Sequence, residues 1–302
     1  MNGFLVVDKP GGMTSHDVVA RARRLLKVRR IGHLGTLDPL ATGVLPLAVG
    51  IATRLVEFLG GDDKAYVATL KLGEETDTQD AEGRIIATAP VPILERDEIE
   101  RVFSSFLGRI RQQPPMFSAV KIGGTPLYRL ARKGIEVARA DRQVEIHHLE
   151  ITSIDLPHIS FAVECSKGTY VRTLCRDLGA ALGSPAHLTA LRRTRSGIFS
   201  LSEAIGLEVL EEQAARCEVK LLPLEEGVRN FPRLEVAPEA RLLLGHGVPP
   251  PSAAVPEAGS CREGEIVALM GDSRLLAMAR FAPRRLLENR GDFELLRVFI
   301  PA

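Results

Sequence analysis

Apolar residues along this chain come in two rhythms. Phe4-Leu5-Val6-Val7 and Val44 to Val49 are short continuous apolar runs bounded by glycine and proline, the mark of buried strands. Lys64 to Leu72 alternates, with Tyr66, Ala68, Leu70 and Leu72 on one face, and Ile159 to Cys165 does the same with Phe161, Val163 and Cys165. Between them, Val18, Val19, Ala22, Leu25 and Leu26 fall at helical spacing behind a Thr14-Ser15 cap, and Ala52 to Leu59 and Glu98 to Leu107 are further helices. A strand over Gln143 to Ile154 and a helix opening after Lys167-Gly168-Thr169 complete a mixed α+β domain through roughly residue 225.

Two segments depart from this pattern. Residues 112 to 138 begin with an extended Gln-Gln-Pro-Pro run. They continue through Gly123-Gly124 into a small helix near Leu127 to Lys133 whose cations, Lys121, Arg129, Arg132 and Lys133, are solvent-facing. The segment is expected to be a basic flap. A break near Arg229 to Pro238 and a glycine- and proline-rich stretch from Gly245 to Gly259 precede three strand candidates. These are Glu265 to Met270, Leu275 to Phe281 and Phe293 to Phe299, enough for a small β-rich module. The boundaries expected are 1–228 for the large domain and 229–302 for the small one.

Composition narrows the class. Across 302 residues, 45% hydrophobic and 25% charged content is that of an ordinary globular protein. The net charge of +1 hides an uneven distribution. Arg21, Arg23, Arg24, Lys27, Arg29 and Arg30 cluster together, as do Arg192, Arg193 and Arg195, and Arg284, Arg285 and Arg290. Acids gather at Glu74 to Glu82 and Glu208 to Glu212, so a basic face and an acidic back are expected. Cys165, Cys175, Cys217 and Cys261 have no metal-ligand spacing, which suggests reduced, mostly buried thiols in a cytoplasmic protein. No stretch approaches the ~20 apolar residues that span a bilayer. The acidic turn from Thr76 to Gly83 lacks the ligand spacing of a calcium loop and is read as a connection.

The densest local chemistry lies in Gly32-His33-Leu34-Gly35-Thr36-Leu37-Asp38-Pro39-Leu40-Ala41-Thr42-Gly43. Proline pushes the residue before it out of the helical region, so Asp38 sits on an extended backbone with little freedom, and its carboxylate can be aimed. By itself, Asp-Pro between glycines is also ordinary turn punctuation.

The full stretch, running on into Val44-Leu45-Pro46-Leu47-Ala48-Val49-Gly50, resembles the signature of the TruB family of tRNA pseudouridine synthases. Four further matches occur in the expected order: Lys9-Pro10, Lys64-Ala65-Tyr66, Ser166 to Leu174, and Leu191 to Gly197. The resemblance covers most of residues 3 to 200. It departs at Leu34, where the family commonly has threonine, and at Phe117, where tyrosine is common.

What the resemblance implies is specific. Asp38 is the catalytic carboxylate, Arg172 its ion-pair partner, and Tyr66 the ring that stacks on the target uracil. His33 holds flipped-out nucleotides, Tyr170 packs in the pocket, and Leu191 and Arg192 lie near its wall. Lys9 and Pro10 buttress the loop; beside the resemblance, the exposed flap cations Lys121 and Arg132 are expected to contact RNA. The large domain becomes a pseudouridine synthase catalytic domain with a mixed sheet and flanking helices, the small one a PUA-like RNA-binding domain. The reaction implied is isomerisation of uridine 55 in the T-loop of tRNA, in the cytoplasm. It uses no cofactor or metal, needs no obligatory protein partner, and is carried out by a monomer. Two alternatives remain: a guide-dependent enzyme acting on ribosomal RNA, and a non-catalytic RNA-binding or tRNA-folding protein on the same fold.

Overall fold

Two strands that both need the same edge of a third decide where the loop around Asp38 goes. The computed structural model describes residues 1–61, 63–283 and 291–299, so the basic cluster Arg284, Arg285 and Arg290 lies outside the described residues. In chain order, β1 (Gly3–Lys9) leads into α1 (Ser15–Leu26), followed by β2 (Ile31–His33) and β3 (Thr42–Val49). A turn of 3-10 helix and α2 (Val56–Leu59) lead to β4 (Lys64–Leu72) and a hairpin of β5 (Glu74–Thr76) and β6 (Ile85–Thr88). Then come α3 (Arg96–Ser105), β7 (Gly108–Gln112), the two-residue strands β8 (Lys121–Ile122) and β9 (Thr125–Pro126), and α4 (Leu127–Ala131). The long β10 (Arg142–Asp155), β11 (His158–Cys165), α5 (Val171–Ala181) and β12 (Ala186–Ser196) follow. The short β13 (Phe199–Ser200) and β14 (Ile205–Gly206), with α6 (Leu207–Ala215) and α7 (Leu224–Gly227), close the large domain.

The large sheet runs β14-β1-β3-β12-β4-β11-β10-β7, with β13 on β12 and β2 on β3. β1 covers one edge of β3 along its length, from Gly3↔Val49 to Lys9↔Gly43. The other edge is shared. β12 pairs only with Thr42 and Gly43, and β2 pairs with Leu47 to Val49. Where the two part, the chain from Leu34 to Ala41 is inserted.

Apolar faces dictate the layers. Val18, Val19 and Ala22 of α1, Phe103 of α3, Leu174 and Leu178 of α5 and Leu210 of α6 pack on one face with Leu47, Leu70 and Phe161 of the sheet. Thr14 caps α1, exchanging hydrogen bonds with Asp17. The opposite face, with Phe4, Val6, Val44 and Ala48, packs against Ala268, Met270, Leu275 and Met278 of a second sheet.

That second sheet is built from β15 (Arg233–Glu235), β16 (Ile266–Gly271), β17 (Arg274–Phe281) and β18 (Phe293–Val298), in that order, with α8 (Pro238–Gly245) beside it. It therefore has the three strands anticipated plus β15, a three-residue strand parallel to β16 inside the segment read as a break. Ion pairing of Arg297 with Glu57 and an Arg54 Nη1 hydrogen bond to the Val298 carbonyl tie it to the large domain. Of the thiols, Cys165 and Cys175 are buried, while Cys217 is exposed and Cys261 half-buried, fewer interior positions than expected. Among the described residues no helix is long and apolar enough to cross a membrane.

Candidate active site

The loop carrying Asp38 is held from three directions. From β1, the buried Lys9 ammonium donates to the Pro39 carbonyl at 3.2 Å and to those of Pro10 and Met13, while Gly12 N–H donates to Pro39 at 2.9 Å. Loss of hydration lowers the Lys9 pKa to about 8. From α1, the buried Ser15 hydroxyl donates to the Leu37 carbonyl and accepts the Leu37 N–H, at 3.0 and 2.8 Å. From β12, Arg193 donates to the carbonyls of Gly35, Thr36 and Val44. Leu37 and Ala41 are buried on either side of the aspartate. A loop with its own carbonyls satisfied in this way has little freedom left.

Asp38 itself keeps an accessible edge, 37% of its side chain. Arg172, only 5% exposed on the first turn of α5, places Nε 2.9 Å from Asp38 Oδ2. Its remaining nitrogens are engaged too. Nη1 donates to the Thr78 carbonyl at 2.9 Å and lies 3.5 Å from Asp80 Oδ2, and Nη2 donates to the Phe117 carbonyl at 2.9 Å. Burial raises the Asp38 pKa above the usual carboxylate range; Arg172 opposes the rise and Asp80 adds to it. One guanidinium thus serves two carboxylates and also anchors the base of the flap.

Asp80 went unnoticed in the sequence. The turn read as a connection folds back over the sheet, where Asp80 bridges to Leu188 and is buried. Asp80 Oδ1 accepts from the Thr78 hydroxyl and the Glu82 N–H, and Thr173 reaches Gln79 from α5. Part of the acidic run therefore sits beside Arg172 and Asp38 instead of on the back. Glu82 lies there as well, its pKa raised by burial and by Asp80 and Asp38.

Tyr66 is buried on β4, opposite Arg193 of β12 and Val163 of β11. Burial raises its pKa, and Arg193 opposes the rise. Tyr170 is the residue before α5; its N–H donates to buried Gln112 at 3.0 Å, which joins it to the start of the flap. His33 ends β2, with its ring 5.6 Å from that of His16, edge to face. Its Nδ1 is buried without a hydrogen-bond partner among the described residues, and burial lowers its pKa, favouring the neutral ring.

Leu191 and Arg192 sit where β12 joins β3; Arg192 is exposed and paired with Asp8 at 2.7 Å. Arg195 pairs with Glu164, and Arg193 is 1% exposed. The second arginine cluster is therefore not a free basic surface, because strand alternation turns Arg193 inward and its neighbours find acids. Lys121 and Arg132 are exposed on the flap, and Arg132 lies over the Tyr128 ring.

Known proteins fit this arrangement. The sequence model described as TruB family pseudouridylate synthase (N terminal domain) matches residues 23–171, and that of the tRNA pseudouridylate synthase B C-terminal domain matches 172–229. The protein named tRNA pseudouridine synthase B from Syntrophotalea carbinolica is 50% identical over 300 residues, 99% of this chain and 98% of its own length.

The chain belongs to the TruB family.

A TruB relative of the same name from Geobacter sulfurreducens is 43% identical, covering 99% of this chain and all of that protein. Among solved structures, a Cbf5-Nop10-Gar1 complex superposes with a TM-score of 0.77 at 30% identity, over 99% of this chain and 85% of that one. A structure titled as an H/ACA RNP bound to a substrate RNA containing 2′-deoxyuridine gives 0.76 at 27% identity, with the same coverage. As a TruB pseudouridine synthase the chain is an isomerase with a mixed α+β catalytic fold and a β-rich C-terminal part.

Proposed function

We propose that this chain converts uridine 55 in the T-loop of tRNA to pseudouridine, with Asp38 as the catalytic carboxylate, Tyr66 as the ring against the uracil and Arg172 as the ion-pair partner. The observation that carries the reading is the 2.9 Å contact of Arg172 with an aspartate whose loop is fixed by Lys9, Ser15 and Arg193.

Pseudouridine formation breaks the bond from ribose C1′ to uracil N1, remakes it at C5 and moves the C5 proton to an acceptor. No electrons are exchanged overall and nothing leaves, so aim and electrostatics suffice. An ionised carboxylate beside base and sugar is the reagent, whether it attacks uracil C6 or ribose C1′. A paired or stacked uridine hides these atoms, so the nucleotide must be flipped into the site at a cost of a few kcal/mol. The Tyr66 ring and a neutral His33 fit stacking contacts there, and the flap cations Lys121 and Arg132 fit phosphates. We assign residues 1–228 to catalysis and 229–302 to a PUA-like RNA-binding module, acting as a monomer without an obligatory partner.

The near-complete match to proteins named tRNA pseudouridine synthase B supports tRNA as the substrate. The test is a full-length unmodified tRNA transcript and an isolated T-arm stem-loop, each with protein alone. Pseudouridine at one T-loop uridine in both is the expected result. Binding without modification would move the reading to a guide-dependent enzyme or an RNA-folding protein.

A further inference from the structure

Arg193 is buried to 1% exposure, yet among the described residues no carboxylate pairs with it. A buried guanidinium is costly unless its donors are met, so its partners reveal what it is for.

Its position follows from the divided edge of β3. β12 leaves β3 after Arg193↔Gly43, and β2 takes up the edge at Leu47. The two carbonyls in the gap, Val44 and Pro46, have no strand to pair with. Leu34 N–H fills the second at 2.9 Å, and Arg193 Nε fills the first at 2.7 Å. From there Nη1 and Nη2 reach the carbonyls of Thr36 and Gly35, at 3.3 and 3.2 Å, in the two peptides just before Leu37-Asp38. On its other side Arg193 is the cross-strand partner of Tyr66, and its charge holds the phenol pKa down against the effect of burial.

We infer that Arg193 is a positioning residue for the isomerisation: it locks the Asp38 loop and the Tyr66 phenol to one strand, so that carboxylate and ring face the uridine at a fixed separation. This rests on the roles proposed for Asp38 and Tyr66. Only arginine suits the place, because its planar fork offers five donors in fixed directions, whereas a lysine ammonium is a point charge that cannot span three carbonyls and a phenol. Gly43 completes the device. A Cβ there would lie 2.2 Å from the Arg193 carbonyl, so the close strand contact that aims Arg193 requires glycine.

The test compares wild type, Arg193→Lys, Tyr66→Phe and the double variant by single-turnover pseudouridine formation, RNA affinity and melting temperature. Arg193→Lys is expected to lower the turnover rate about 100-fold, as misplacement of reacting groups does, while RNA affinity changes less than about 3-fold. In the Tyr66→Phe background the same change should cost less than about 10-fold, because half of what Arg193 positions is gone.

A second readout does not depend on turnover. The chain has no tryptophan and three tyrosines, so the tyrosinate difference spectrum between a protein and its Tyr66→Phe counterpart reports Tyr66 alone. Arg193→Gln should move that titration to higher pH. A folded Arg193→Lys enzyme with wild-type turnover, equal penalties in both backgrounds, or an unmoved Tyr66 titration would each overturn the assignment. Failure of both Arg193 variants to fold would also overturn it, by showing an ordinary structural cation. Full activity of Tyr66→Phe would leave the stacking ring proposed for Tyr66 in place and overturn the part of the assignment that runs through its phenol.

Discussion

Arg172 meets Asp38 through Nε at 2.9 Å while its Nη1 and Nη2 are held by the carbonyls of Thr78 and Phe117. The cation is therefore immobilised independently of the aspartate it serves. Protonating or replacing Asp38 leaves it anchored, and removing Arg172 strands both Asp38 and the more deeply buried Asp80.

That asymmetry predicts opposite stability changes. The Asp38 pKa is raised on folding. Above its unfolded value the native state binds the extra proton, so stability falls as pH rises through the window up to the folded value. At pH 7 the charged group is thus a net burden, and Asp38→Asn should melt at or above the wild-type temperature. Arg172→Met should melt well below it, by the ~3–5 kcal/mol typical of an ion left unpaired in an interior. Calorimetry of both variants checks this; a clear loss in Asp38→Asn would mean that pairing outweighs burial.

The same pKa governs turnover. The rate should decline on the acid side as Asp38 is protonated, at a higher pH than a free carboxylate would give. Asp80 contributes to the rise, so Asp80→Asn should shift the acid limb to lower pH. An unmoved limb would assign it to another group.

Gly43 should tolerate no side chain. It has φ +100 and its Cβ would collide with the Arg193 backbone, so Gly43→Ala should lower stability by at least about 2 kcal/mol in thermal or denaturant unfolding.

If the flap contacts RNA phosphates, Lys121→Ala and Arg132→Ala should each weaken binding and reduce the slope of log affinity against log salt by roughly 0.7–0.9. Titrations at several salt concentrations measure this, and unchanged slopes would remove the flap from the interface.

How much of this was legible depends on where each partner lay. The strands around Phe4 to Val7 and Lys64 to Leu72 could be read because one buried face imposes a period of two. The aiming of Asp38 was visible in a local feature, the proline after it. Asp80 was not, since Thr76 to Gly83 is turn-like on its own and acquires its role only by bridging to Leu188. Arg193 was hidden by its neighbours: an arginine in an arginine-rich run reads as surface, although the alternation of Arg192 outward and Arg193 inward was available once β12 was placed. Strand β15 escaped because three residues carry no periodicity, and its partner lies far along the chain.

On the proposed mechanism, Asp38 performs the chemistry in a site that still recognises RNA without it. The most direct measurement is single-turnover pseudouridine formation by Asp38→Asn on a tRNA transcript, with RNA affinity determined in parallel. No detectable product is expected, with affinity within about 3-fold of wild type, because the lost interaction is made only at the reacting centre. Product formed at a rate near that of the wild type would contradict this role and assign the catalytic carboxylate to another residue.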